Sequence, residues 1–423
     1  MRGASEPYRL FFPLGILLGV AGVSIWPLYY FGVTAGFSGR AHALVQAGGF
    51  LYAFVAGFLL TAVPRFTGTE WPSRRVQFIL AALLVGSAAV NEEGAFAVGT
   101  VMFAAAHVTL LVLVVRRFLR RRQDPPGTFV LVGLGLVAGL AGALLNAAVA
   151  WELVPPFWDL LGKRLLTEGM VMLLVLGIGG FLGPRLVGLA STEGLKPGAL
   201  RLYGAAGSLL LLALIAEYSL ELTQMAFVRA AVVTVVMFSA LRPWRAPAVR
   251  TTLSWCVWTS AWLIVIATWL VALAPRYRVD FLHVLFIGGF SLLIMSVGTR
   301  VVLSHGNHSL AEERRSWPLR VGLAAGLIAM MARIGAAFTT VSYFEHLATA
   351  ALFWIGGMLF WGFYIVRLIR RDDSPVVQRL AVRRRAGVVL AMVLSALWAQ
   401  RAAGQTTLQP QAWDAGVRLP EAT

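Results

Sequence analysis

Phe281 to His308 reads FLHVLFIGGFSLLIMSVGTRVVLSHGNH. The stretch is long and apolar enough to cross a bilayer. Yet it carries His283 near one end and Arg300, His305 and His308 near the other. Ionisable groups within or at the rim of a hydrocarbon slab are costly, so they are functional candidates by default. On one straight helix His283 and His305 stand 22 residues apart. That is about 33 Å at the helical rise, roughly one bilayer thickness. The two cannot share one metal unless the helix breaks, and Gly288-Gly289 is the candidate break.

The rest of the chain has the same character. Of its 423 residues 59% are hydrophobic and 13% charged, where soluble domains carry about 25% charged residues. The composition predicts an all-α, polytopic integral membrane bundle. The net charge of +17 does not mark a nucleic-acid-binding protein, because most of the arginines sit in short loops between apolar runs, as membrane topology requires. The single cysteine, Cys256, lies inside an apolar run. It excludes an intrachain disulfide framework and a cysteine-based metal cluster. The N-terminus lacks the features of a cleavable signal peptide, so its first apolar run reads as a retained span.

Apolar runs of spanning length fall at about 10–31, 42–64, 76–90, 95–115, 128–150, 165–183, 199–216, 222–241, 251–274, 281–303, 319–341 and 346–366. Twelve helices joined by short loops account for residues 1–371. Residues 372–423 form a basic segment, a short apolar run at 386–398 and a polar tail. That run reads equally as a thirteenth, short span or as an amphipathic tail. The loops alternate in charge. Arginines crowd the segments after the fourth, eighth, tenth and twelfth runs, whereas 91–94, 217–221 and 342–345 have neither Lys nor Arg. The positive-inside rule then places the N-terminus in the cytoplasm.

Three stretches look alike: GFLLTAVPRFTG at 57–68, GIGGFLGPRLVG at 177–188 and MSVGTRVVLSHG at 295–306. Each closes a span with an arginine and a final glycine, and each belongs to a helix with paired glycines, Gly48-Gly49, Gly179-Gly180 and Gly288-Gly289. They fall in the second, sixth and tenth spans, which suggests a four-helix unit used three times. Abundant glycine in membrane helices, with arginine marking the inner boundary, explains the same pattern equally well.

Six histidines are present. His42, His283 and His346 fall at the starts of the second, tenth and twelfth spans, His305 and His308 at the end of the tenth, and His107 within the fourth. Neutral imidazole is the commonest metal ligand, although a histidine at a helix end is more often interfacial. Arg229 and Arg333 are stranded inside apolar runs, about 10–12 Å below the surface. A buried guanidinium needs an anion as partner. Glu168, Glu217 and Glu221 are protein candidates, and a haem propionate would serve as well. A phosphate-binding loop, a dinucleotide fingerprint and a nucleophile elbow are absent from the sequence.

On these residues the chain resembles the NnrS family of bacterial membrane proteins. His42-Ala43-Leu44 followed by GFLLTAVP at 57–64 and Thr67-Gly68 is similar to that family's histidine motif and its signature string. His283 with Arg300 and His305-Gly306 resembles its second histidine stretch, and Arg333 with Leu352-Phe353-Trp354 its closing helices. The resemblance implies a protein associated with haem and copper that handles nitric oxide or protects against nitrosative stress. It makes His42, His283 and His305 the leading ligand candidates. Arg65 and Arg300 then pair with acidic groups of a cofactor or of lipid. There are departures. Where the family has a pattern like His-x-His-Glu, this chain has Arg40-Ala41-His42-Ala43, and Ser304 replaces a glycine. A copper site is therefore incomplete unless His283 or His346 supplies what is missing. Two other classes fit the span count: a secondary transporter of a small anion, with Arg229 and Arg333 on the substrate, and an oxidase-type subunit, which the absence of adjacent histidines disfavours.

Overall fold

A computed structural model describes residues 6–190, 196–306 and 308–371. The described residues are helical throughout and contain no strand. The helices are α1 (Tyr8–Tyr30), α2 (Gly39–Thr67), α3 (Arg74–Glu92), α4 (Phe96–Leu119), α5 (Gly127–Ala150), α6 (Trp158–Leu186), α7 (Ala199–Ser219), α8 (Met225–Leu241), α9 (Thr252–Leu273), α10 (Pro275–His305), α11 (Leu310–Phe338) and α12 (Tyr343–Arg371). Eleven are long and apolar enough to cross a bilayer, and α8 is a shorter apolar helix. The chain is a multi-pass membrane protein. The apolar run at 386–398 and the rest of 372–423 lie outside the described residues.

Each expected run lies within one of these helices or overlaps it closely. Three starts move substantially: α11 begins at Leu310, nine residues ahead of its run, and the other two move for one shared reason. α6 starts at Trp158 and α10 at Pro275, several residues ahead of their apolar runs. The added turns contain Asp159, Lys163 and Arg164 in α6, and Arg278 and Asp280 in α10. These charges pair with one another or with neighbouring helices, so they end the apolar run without ending the helix.

The GFLLTAVPRFTG string at the end of α2 works as a helix junction and stop. A Cβ at Gly57 would lie 2.8 Å from Phe11 of α1, so only glycine permits this approach. The Thr61 hydroxyl accepts from the Tyr8 amide at 3.1 Å and donates to the Gly57 carbonyl. Gly68 then ends the helix in the left-handed conformation, φ +65°, the usual glycine terminator.

α2, α6 and α10 are the three most buried spans, with 78%, 67% and 61% of their central windows inside the protein. The other spans wrap around them. α4 packs on α5, α8 on α9, and α12 returns to α1. Every fourth junction is thus of the same kind, and the ring closes.

The inner three helices share one irregularity. After six or seven α-helical residues, each widens into π-helical turns, at Val45–Leu51, Leu165–Val171 and Val284–Ser291, before resuming as α-helix. The π turn carries an extra residue per turn and is frequent at functional sites. Its recurrence at four-span intervals agrees with a unit used three times. In α6, however, the counterpart of the paired glycines is the segment around Gly169, because Gly179-Gly180 lies in regular α-helix further on. Gly288-Gly289 is likewise no break. α10 continues through it, and His283 and His305 remain at opposite ends of one helix.

Candidate functional site

The starts of α2, α6 and α10 border a partly open cavity of about 340 Å³, within the size range of small-molecule and cofactor sites. His42 of α2, Lys163 and Arg164 of α6, His283 of α10 and Arg333 of α11 all line it. Trp26 of α1 and Trp354 of α12 complete an otherwise largely apolar wall. The cavity lies at the end of the bundle opposite the arginine-rich loops.

Both cavity histidines are held in the same manner. His42 Nδ1 lies 2.7 Å from the Gly22 carbonyl of α1, and His283 Nδ1 lies 2.7 Å from the Val279 carbonyl one turn back in its own helix. A carbonyl oxygen only accepts, so each Nδ1 carries the proton. In the neutral ring that leaves the Nε2 lone pair available. Among the described residues neither Nε2 has a hydrogen-bond partner. Anchoring one ring nitrogen on a carbonyl so that the other can ligate is the usual support of a metal-binding histidine. Trp26 stands edge-on to the His42 ring at 5.5 Å, and Phe286 to the His283 ring at 6.0 Å, which limits their rotation.

Ion pairs surround the same end of the bundle. Lys163 and Arg40 meet Asp159 at 2.5 and 3.4 Å, and Arg333 pairs with Asp280. Behind the wall Arg229 binds Glu168 at 2.6 Å and Glu217 at 2.7 Å, while Arg164 reaches Glu168 at 3.3 Å and Arg278 pairs with Glu217. In these pairs six cations meet four carboxylates, an excess of two positive charges beside a low-dielectric cavity. Such an excess favours an anionic occupant.

The structure brings together three of the residues singled out from the sequence: His42, His283 and Arg333. The others lie elsewhere. Arg229 binds Glu168 and Glu217, two of its three candidate partners, in a buried ion cluster behind the cavity wall. Glu221 sits in the exposed turn between α7 and α8. His305 Nδ1 lies 2.8 Å from Glu6, which also meets Arg65 at 3.7 Å, so these residues clasp the start of α1 at the arginine-rich end. Arg300 donates to both oxygens of Glu313 at 2.7 and 2.8 Å. His346 bonds the Ser342 carbonyl at 2.9 Å and packs on Gly335 outside the cavity. His107 is a core histidine bonded to the Leu136 carbonyl at 2.9 Å and flanked by Tyr52 and Phe103.

Sequence reasoning missed Lys163, Arg164 and Asp280. Their signal was present: charged residues at helical spacing immediately ahead of two apolar runs. Among the described residues no group of three or more His, Cys, Asp or Glu side chains is arranged to hold a metal ion.

Comparison with curated proteins gives no match. The profile of the family described as NnrS protein matches residues 4–372, which covers all twelve helices and both cavity histidines. The chain belongs to the NnrS family.

Proposed function

We propose that the histidine cavity holds a haem, and that the protein acts in nitric oxide metabolism or in protection from nitrosative stress. The observation that carries this reading is the pair of side chains His42 and His283, each with its Nδ1 fixed on a carbonyl, lining one cavity with cations on its wall. A bound haem would supply an iron able to take a diatomic gas ligand. His42 or His283 would hold the iron through its Nε2. Arg333, Lys163 and Arg164 would supply positive charge to its carboxylates, and the largely apolar wall would limit water around it. Copper fits less well, because two imidazoles without a third protein ligand make a sparse set for that ion. In this reading the arginine-rich end faces the cytoplasm, and the cavity opens in the opposite half of the bilayer.

The cationic wall also favours a second reading, a secondary transporter of a small anion. One sample separates the two. Detergent-purified protein from haem- and copper-replete cells is assayed for visible absorption, metal content and response to nitric oxide. A Soret band that shifts with the gas supports the haem reading. A colourless, metal-free protein that takes up an anion after reconstitution supports transport.

A further inference from the structure

A second cavity, of about 110 Å³, lies on the same central axis toward the arginine-rich end. It is bounded by α2, α6, α8, α9 and α10, with Phe12 of α1 at one side. Its lining consists only of Phe, Leu, Ile, Val, Met, Ala and Gly. A buried water needs two to four polar partners, and this wall offers none from side chains. Helical backbone groups are already paired. The absence of polar groups also excludes a quinone or sugar head, which would need hydrogen-bond partners.

The two cavities meet at the level of the π turns. Phe50, Leu166 and Phe286 face the histidine cavity, Val171 and Phe290 face the apolar one, and Leu51 lines both. Leu51, in the irregular turn of α2, is therefore a shared wall between them. Gly179 of α6 opens the space beneath it. A Cβ built there meets nothing within 4 Å, so the glycine leaves volume empty that any other residue would fill.

We propose that the apolar cavity is a dry holding site for small apolar gas molecules, set behind the histidine cavity with Leu51 as the common wall. Only the identification of nitric oxide as the physiological gas rests on the function proposed above. The volume suits a few diatomic molecules, and apolar solutes partition from water into such dry spaces. Lipid-soluble gas would collect there at a concentration above that of the aqueous phase.

The test uses xenon on the full chain, crystallised from a lipidic phase and pressurised with the gas. Xenon density in the apolar cavity of the wild-type protein is expected. Gly179→Leu fills the space with a better helix former and is expected to abolish that density. Val297→Phe, from α10, is a second filling variant should the first fold poorly. The proposal is overturned if the cavity contains ordered water or a lipid acyl chain, if wild-type protein binds no xenon there, or if xenon persists in both filled variants. None of these readouts needs a chromophore, so failure here is distinct from failure of the haem reading.

Discussion

The His42 ring on α2 is tied to the Gly22 carbonyl on α1 at 2.7 Å, across two helices that pack too closely for a side chain at position 22. A Cβ there would fall 2.8 Å from both Gln46 Nε2 and Val45 Cγ1. Gly22→Leu should therefore push α1 away from α2, release the imidazole and destabilise the fold by about 1–3 kcal/mol, the usual cost of overpacking. Thermal unfolding in detergent checks the stability. Loss of ligand binding out of proportion to the loss of fold would show that the histidine anchor itself matters.

Arg229 is held by two buried carboxylates, and its side chain is only 8% exposed. Removing one member of a buried ion cluster leaves charge uncompensated and costs about 3–5 kcal/mol. Arg229→Met should lower stability by that amount. Arg300→Met, whose side chain is 34% exposed beside Glu313, should cost less, because solvent screens a partly exposed pair. Equal losses for the two variants would contradict the assignment of Arg229 to the structural core.

Arg333 sits on the cavity wall with Asp280 behind it. A hydrogen bond to a charged group is worth about 1.5–3 kcal/mol, roughly ten- to a hundred-fold in affinity. Arg333→Gln should weaken binding of a carboxylate-bearing occupant by that factor. Lys163→Met, which also removes a cation from the wall, should act in the same direction. An unchanged dissociation constant in both variants would remove the cationic wall from the account.

His305 belongs to a different assembly. It meets Glu6 at 2.8 Å, and the Tyr8 ring stands edge-on to it at 5.5 Å. His305→Ala should loosen the start of α1, measured as faster proteolysis of the N-terminus, while leaving the cavity's ligand content unchanged. Loss of ligand in this variant would place the ligand at the wrong end of α10.

The helices were legible in the sequence because spanning a bilayer demands long apolar runs, and each run here has its helix. The starts of α6 and α10 were not, since Lys163, Arg164 and Asp280 interrupt the apolar run while continuing the helix. His42 and His283 were legible as candidates because an imidazole at the edge of a span is costly enough to stand out. Their separation from His305 and His346 was not, because it depends on partners far away in the chain. Glu6 lies 299 residues before His305, and no local pattern announces that pairing. The π turns were invisible for a related reason: Gly48-Gly49 and Gly288-Gly289 mark two of them, but the third contains Glu168 and a single Gly169.

The central claim is that His42 and His283 together define the ligand site. Its most direct test is the Soret spectrum and haem content of purified wild-type protein beside His42→Ala, His283→Ala and His346→Ala, all from haem-replete cells. The account predicts a haem band in the wild type, loss or displacement of that band in the first two variants, and an unchanged band in the third. A wild-type protein without haem, or a band indifferent to both His42→Ala and His283→Ala, would contradict it.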